Sequence, residues 1–391
     1  MAILLLVIGI FLFIGLIVAH EFGHFIAARR NGVQVEEFGI FFPPTLYKRK
    51  MRGGWNFTIN ALPLGGFVKL KGEHDSDTAP GSFGAASLWA KTQIMAAGVI
   101  MNLVIALLLL TFLALIGMPK LVNNQFTVAS DTKVTKSEVL ATYVEPNSAA
   151  AKAGIQTRDT IISIGQVGKP ATKVTSVTGL THLTKSLAGK QVLVSYSHKG
   201  VTKSSTVTLL TSSVVDKSKN TDNPKGYLGL SGPAEFTLQR STWSAPVVAV
   251  GFSAQITKLT FQGLGKAVAG LGSIVAGTVT GNSQARTHGQ SKASSQVSGP
   301  VGIYFVLQTS SQLGFQFMLL IIAIISLTLA IMNILPIPAL DGGRLWITLV
   351  TRGIFKRPLS PAREEAINAS GFVGLLLLIV VISIVDVKRF F

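Results

Sequence analysis

Four stretches of the chain, 2–28, 93–117, 315–335 and 366–385, run apolar for about 20 residues or more without a single Lys or Arg. Each is long enough to cross a hydrocarbon layer about 30 Å thick as a helix. After the first, the pattern changes to period two. Trp55, Phe57 and Ile59 alternate with Asn56, Thr58 and Asn60, and the run continues through Pro63 and the pair Gly65 and Gly66. That predicts a short membrane-associated β-hairpin over 54–71. From about 120 to 240, Thr, Ser, Val and Lys dominate with strand-like alternation at 191–197 and 201–210, which predicts a water-soluble α+β domain over 120–235. The stretch 243–281 is apolar again, yet it carries Lys258, Lys266 and many glycines. It reads as interfacial amphipathic helices, within a segment 236–300 that ends in a loop rich in Ser, Gln, Asn and Thr, and not as a fifth span. The expected architecture is a polytopic α-helical membrane protein of about four transmembrane helices. Residues 1–119 and 301–391 supply two spans each.

Composition agrees and adds orientation. Mean hydropathy is +0.50, with 48% hydrophobic and 13% charged residues, which excludes an ordinary soluble protein. The net charge of +18 points to membrane topology and not to nucleic acid, because of where it sits. Nine basic residues lie between Arg29 and Lys91, and five between Pro336 and Glu365. The positive-inside rule places both loops in the cytoplasm, and therefore both termini and the soluble domain outside. Cysteine is absent, so any metal must be held by His and carboxylate groups.

The chemistry begins inside the first span, where His20, Glu21, Phe22, Gly23 and His24 form an HExxH motif. Residues four apart on a helix share a face one turn apart, so both imidazoles can bind one zinc ion, with Glu21 beside it as general base. Three such groups within five residues are hard to explain as packing inside a membrane. A catalytic zinc site takes a third protein ligand. The end of the third span supplies a candidate: Asn333-Ile334-Leu335-Pro336-Ile337-Pro338-Ala339-Leu340-Asp341-Gly342-Gly343, where the prolines break the helix and free Asp341 to turn back toward a metal. Gly98 and Asn102, four apart in the second span, read as a helix-packing pair. The hairpin lies directly after the HExxH helix. It is either a surface feature or a strand edge that offers Asn60, Gly65 and Gly66 to an extended peptide. His74, His182, His198 and His288 read as solvated side chains.

Two resemblances sharpen this reading. Pro146-Asn147-Ser148-Ala149-Ala150-Ala151-Lys152-Ala153-Gly154-Ile155, followed by Asp159 and a strand, resembles a PDZ domain, with Arg158 standing where glycine is usual. HExxH in the first span, N-x-x-P-x-P-x-L-D-G in a later one and a PDZ-like domain between them resemble the site-2 protease family of intramembrane zinc metalloproteases, in its single-PDZ form within the regulator of sigma-E protease group. That resemblance implies a bacterial plasma-membrane enzyme with zinc on His20, His24 and Asp341, and with Glu21 activating water. Asn333 would position substrate or transition state. It also implies single-span membrane proteins as substrates, such as anti-sigma factors or remnant signal peptides, already cut by another protease. A heat-shock-type membrane zincin and a non-catalytic membrane PDZ scaffold are the competing readings.

Overall fold

A computed structural model describes residues 2–74, 77–219, 221, 224–284, 287–288 and 299–390 of the chain. It divides into two compact units, Met1–Leu115 with Trp243–Phe391, and Ile116–Thr242.

In the first unit, α1 (Ala2–Arg30) and α2 (Leu88–Ile116) are 29-residue helices. As helices, their apolar runs satisfy the interior backbone groups within the segment, as crossing hydrocarbon requires. The helix α1 closes on Arg29 and Arg30. The helix α2 opens with the Ser87 hydroxyl accepting the Ala90 N–H at 3.2 Å, an N-cap, and it stops at Gly117, where φ is 124°.

Between these helices the expected hairpin over 54–71 is a larger sheet. Strand β1 (Val35–Lys50) and strand β2 (Asn56–Leu70) fold along each other, so that 35–40 pairs with 66–70 on one side and 56–59 on the other, while 45–50 pairs with 56–60. The two arms of the expected hairpin therefore pair with β1 and not with each other. The run Val35-Glu36-Glu37-Phe38-Gly39-Ile40 lacks clean alternation because it lies in the middle of the sheet, with strands on both sides. Phe25, Ala28, Val35, Phe38, Leu70, Phe83, Ile94 and Met95 form one buried cluster beneath it.

The helix α6 (Ala245–Val279) is a single 35-residue helix, where several interfacial helices were expected. By length and composition it is a fifth candidate span. Its glycines and its two lysines dilute the hydropathy signal without interrupting the backbone bonds. The first half buries Ala245, Val248, Ala249, Phe252 and Ile256, an i, i+3, i+4, i+7 stripe. Then follow α7 (Pro300–Leu313) and α8 (Phe315–Ile334). Pro336 ends α8 by pushing Leu335 into the extended region, with φ −68° and ψ 150°. After a turn through Ala339 the chain restarts as α9 (Asp341–Thr348), a π-helical segment (Leu349–Ile354) and α10 (Pro361–Phe390). Gly342 and Gly343 are obligatory here. A Cβ on either would lie 2.2 Å from the carbonyl oxygen of Leu335 or Ile337.

The second unit holds a seven-stranded sheet in the order β3 (Met118–Pro119), β11 (Ala234–Arg240), β4 (Lys133–Leu140), β6 (Thr160–Gln166), β8 (Gln191–His198), β9 (Val201–Thr208), with β7 (Thr172–Lys173) paired to β6. A two-stranded ribbon, β5 (Tyr143–Val144) with β10 (Leu230–Ser231), lies apart from it. Helices α3 (Ala149–Ala153), α4 (Val177–Ser186) and α5 (Ser212–Ser218) complete the unit. Val139, Ile161, Ile164, Val192 and Val194 are core residues without solvent exposure. The short α3 is delimited by its own sequence: the Ser148 hydroxyl accepts the Ala151 N–H, and Gly154 closes the helix at φ 81°. Arg158, in the position where glycine is usual, has φ 75°. His198 corrects the solvated reading, since its Nδ1 lies 2.8 Å from Oδ1 of the buried Asp159.

Candidate metal centre

His20 and His24 project from α1 into a buried space closed by α2 and by the start of α9, 8% and 9% exposed respectively. Helical spacing puts both rings on one face. The proline-enforced break after α8 brings Asp341, more than 300 residues away in sequence, against them. Asp341 Oδ2 lies 2.9 Å from His20 Nε2 and 3.1 Å from His24 Nε2, and the two Nε2 atoms are 3.3 Å apart. A tetrahedral zinc with bonds of about 2.0–2.1 Å holds its ligand atoms roughly 3.3 Å from one another. The triangle is thus of the right size for one ion, and the donor set of two imidazoles and a carboxylate suits zinc. Among the described residues, this is the one cluster of His and acidic side chains with such geometry.

Three features of α2 complete the centre. The Ile94 carbonyl lies 2.7 Å from His24 Nδ1. A carbonyl only accepts, so Nδ1 carries a proton, and Nε2 is the nitrogen left to offer a lone pair to an ion. Gly98 supplies the room: a Cβ there would lie 2.4 Å from His24 Nε2 and 2.6 Å from His20 Nε2. Asn102 places its amide 3.1 Å from His20 Nδ1. The sequence marks Gly98 and Asn102 as neighbours on one face; that the face meets the histidines is visible only in the fold.

Glu21 lines a cavity of about 160 Å³ together with His24, Gly66, Val68, Met95, Asp341 and Arg344. One water occupies about 30 Å³, so the space admits water and a segment of peptide backbone beside it. Val68 lines the same cavity as Glu21, and a Cβ on Gly66 would come within 3.1 Å of Glu21 Cγ. The end of β2 therefore runs directly alongside Glu21. Of the other sequence candidates, Gly65 packs against Phe42. Asn60 is buried with its amide donating to the Phe41 carbonyl at 3.0 Å, where it steadies the left-handed turn at Phe41. Asn333 is half-buried in the last turn of α8. None of these three lines the cavity.

Helices long enough to span a membrane, with an HExxH helix and a distant carboxylate closing on one point, define a membrane-embedded zinc metallopeptidase. The family model of peptidase family M50 matches residues 8–378. Zinc metalloprotease RasP of Shouchella clausii is 26% identical over 96% of this chain and 97% of its own length. The regulator of sigma-E protease RseP of Salmonella typhimurium is 26% identical over 94% of each. The chain belongs to peptidase family M50 and is a zinc metalloprotease of the membrane.

Proposed function

We propose that this enzyme hydrolyses peptide bonds within the transmembrane segments of single-span membrane proteins, with His20, His24 and Asp341 as zinc ligands and Glu21 as general base. The observation that carries this reading is the place of the centre within an apolar helix: His24 precedes the Arg30 end of α1 by six residues, about 9 Å along the helix axis, so with that basic end at the cytoplasmic interface the centre would lie inside the hydrocarbon. Zinc bound there would make water acidic near neutral pH and polarise the scissile carbonyl. Glu21, whose carboxyl lines the same cavity, would hold the proton given up by the attacking water and pass it to the leaving amine. His24, held through Nδ1 by the Ile94 carbonyl, would have Nε2 available as the ligand atom.

A helical substrate has its carbonyls already hydrogen-bonded, so it must unwind before attack. The edge of β2 over 66–70 pairs with β1 on one side only among the described residues, and it borders Glu21. An extended substrate adds there as a further strand, with Gly66 keeping the approach open. Gly65 shapes that edge, Asn60 within β2 ties it to the Phe41 carbonyl of β1, and Asn333 at the end of α8 is the candidate for positioning substrate outside the cavity itself.

The unit Ile116–Thr242 is in this reading a PDZ-like domain outside the cell, and its substrates arrive already shortened by another protease. Both termini are outside. Parity along the chain supports placing α6 in or along the outer side of the bilayer. Asp341 meets the C-terminal half of α1, so α8 runs parallel to α1 and enters from the outer side. A crossing by α6 would demand a return crossing before α8, and α7, with 14 residues, is only about 21 Å long. The substrates would include anti-sigma factors or remnant signal peptides.

The test is cleavage of a single-span reporter by purified enzyme in detergent. Glu21→Gln is expected to lose activity by more than about 10²-fold while keeping a full equivalent of zinc. Activity above a hundredth of the unmodified enzyme would remove Glu21 from the role of base.

A further inference from the structure

The two histidines do not have equivalent partners. His24 Nδ1 is bound by a main-chain carbonyl at 2.7 Å, and its tautomer is settled by chemistry. His20 Nδ1 meets instead the side-chain amide of Asn102 at 3.1 Å, a group that can either donate or accept. With Nδ2 turned toward the ring, Oδ1 of this 1% exposed residue has no partner. Turning the amide exchanges one unpartnered atom for the other, so counting hydrogen bonds does not choose between the orientations. The metal does. An ion on His20 Nε2 leaves the proton on Nδ1, and only Oδ1 can accept it.

We propose that Asn102 is a positioning residue for the zinc site: in the loaded enzyme its side-chain carbonyl accepts the His20 Nδ1–H and fixes the ring orientation that presents Nε2 to the ion. This rests on the reading of His20 as a ligand. The geometry of α2 supports it independently of the amide assignment. Ile94, Gly98 and Asn102 stand at i, i+4 and i+8 on one face. On α1, which runs antiparallel to α2, His24 and His20 stand four apart opposite Ile94 and Asn102, with Gly98 vacating the space between. One helix face thus carries an acceptor for each histidine and a gap for the ion. Asn102 is itself fixed from α8, because its backbone carbonyl accepts the Ser326 hydroxyl at 2.7 Å.

Zinc affinity of the full-length protein in detergent, measured by competition with a chelator, tests the proposal. Asn102→Leu keeps the volume and loses the acceptor, and zinc should bind about 10–100-fold more weakly. Asn102→Asp keeps an acceptor in place and should bind within about threefold of the unmodified protein, or tighter. A role in helix packing alone predicts the reverse order, with Leu near normal and the buried carboxylate worst. In the cobalt-substituted protein, the ligand-field bands should shift in Asn102→Leu and return in Asn102→Asp. Normal affinity in Asn102→Leu overturns the proposal. Should that variant not fold, Asn102→Ala carries the same comparison; if neither folds, a tenfold weakening in Asn102→Asp overturns it. His20→Ala separates the two readings. If it keeps zinc at full affinity, the ligand assignment fails and Asn102 falls with it. If only His20→Ala loses zinc, the assignment stands and the proposal for Asn102 alone is wrong.

Discussion

A single methyl group at position 98 would occupy the point on which the Nε2 atoms of His24 and His20 converge, 2.4 and 2.6 Å away. Neither ring can retreat, since His24 is tied to the Ile94 carbonyl and His20 to Asn102. Gly98→Ala is accordingly expected to lose zinc as completely as the removal of a ligand, although alanine is the best helix former. Metal analysis against a folded-state readout distinguishes this from unfolding. Asp341→Ala removes one corner of the triangle and should also lose zinc, because two imidazoles hold the ion far more weakly than three ligands. A full equivalent retained by Asp341→Ala would exclude it from the coordination sphere. The smallest and the most polar residues of the region are thus under equally strict demands, for opposite reasons.

At the scale of elements, α7 depends on a residue from the far end of the chain. Asp386, 1% exposed on α10, accepts the backbone N–H groups of Gly299 and Gly302 at 2.8 and 2.9 Å. These are orphan donors at a helix start, which a carboxylate satisfies and the helix dipole favours. Asp386→Leu would strand both in a buried place, at about 1–3 kcal/mol each, and the melting temperature should fall. Asp386→Asn keeps an acceptor and should fall less. The strand β2 has a comparable dependence at Gly66, whose missing side chain lets Gly39 and Glu21 close on it. Gly66→Val should lower kcat/KM on the order of 10²-fold through displacement of Glu21, the proposed base, with zinc content unchanged.

Orientation belongs to the whole molecule. If the basic loops after α1 and α8 are cytoplasmic, a single cysteine introduced at Lys199 in this cysteine-free chain should react with an impermeant reagent in intact cells. One at Lys50 should react only after the membrane is opened. Labelling at Lys50 and not at Lys199 would invert the topology and place Asp341 and the HExxH motif at the outer side. Cysteines along α6 extend the test: reactivity at both ends from outside fits a helix that stays on the outer side, and loss of reactivity at the 279 end would make it a crossing.

The sequence by itself determined the apolar helices α1, α2, α8 and α10, each long enough to span a membrane, the HExxH face, and the carboxylate freed by Pro336 and Pro338. Each of these is a local matter of apolar length, helical period or proline geometry, and so is legible from neighbours in the chain. The pairing of β2 with β1, the continuity of α6 and the partner of His198 were decided elsewhere. A strand's register is set by what lies beside it, and a helix diluted by glycine and lysine still forms when its stripe finds a surface. The same holds for Asn102. Its four-residue spacing from Gly98 announces a common face. That the face meets two histidines and not another helix's leucines follows only when α1 and α2 pack antiparallel and bring 20 opposite 102.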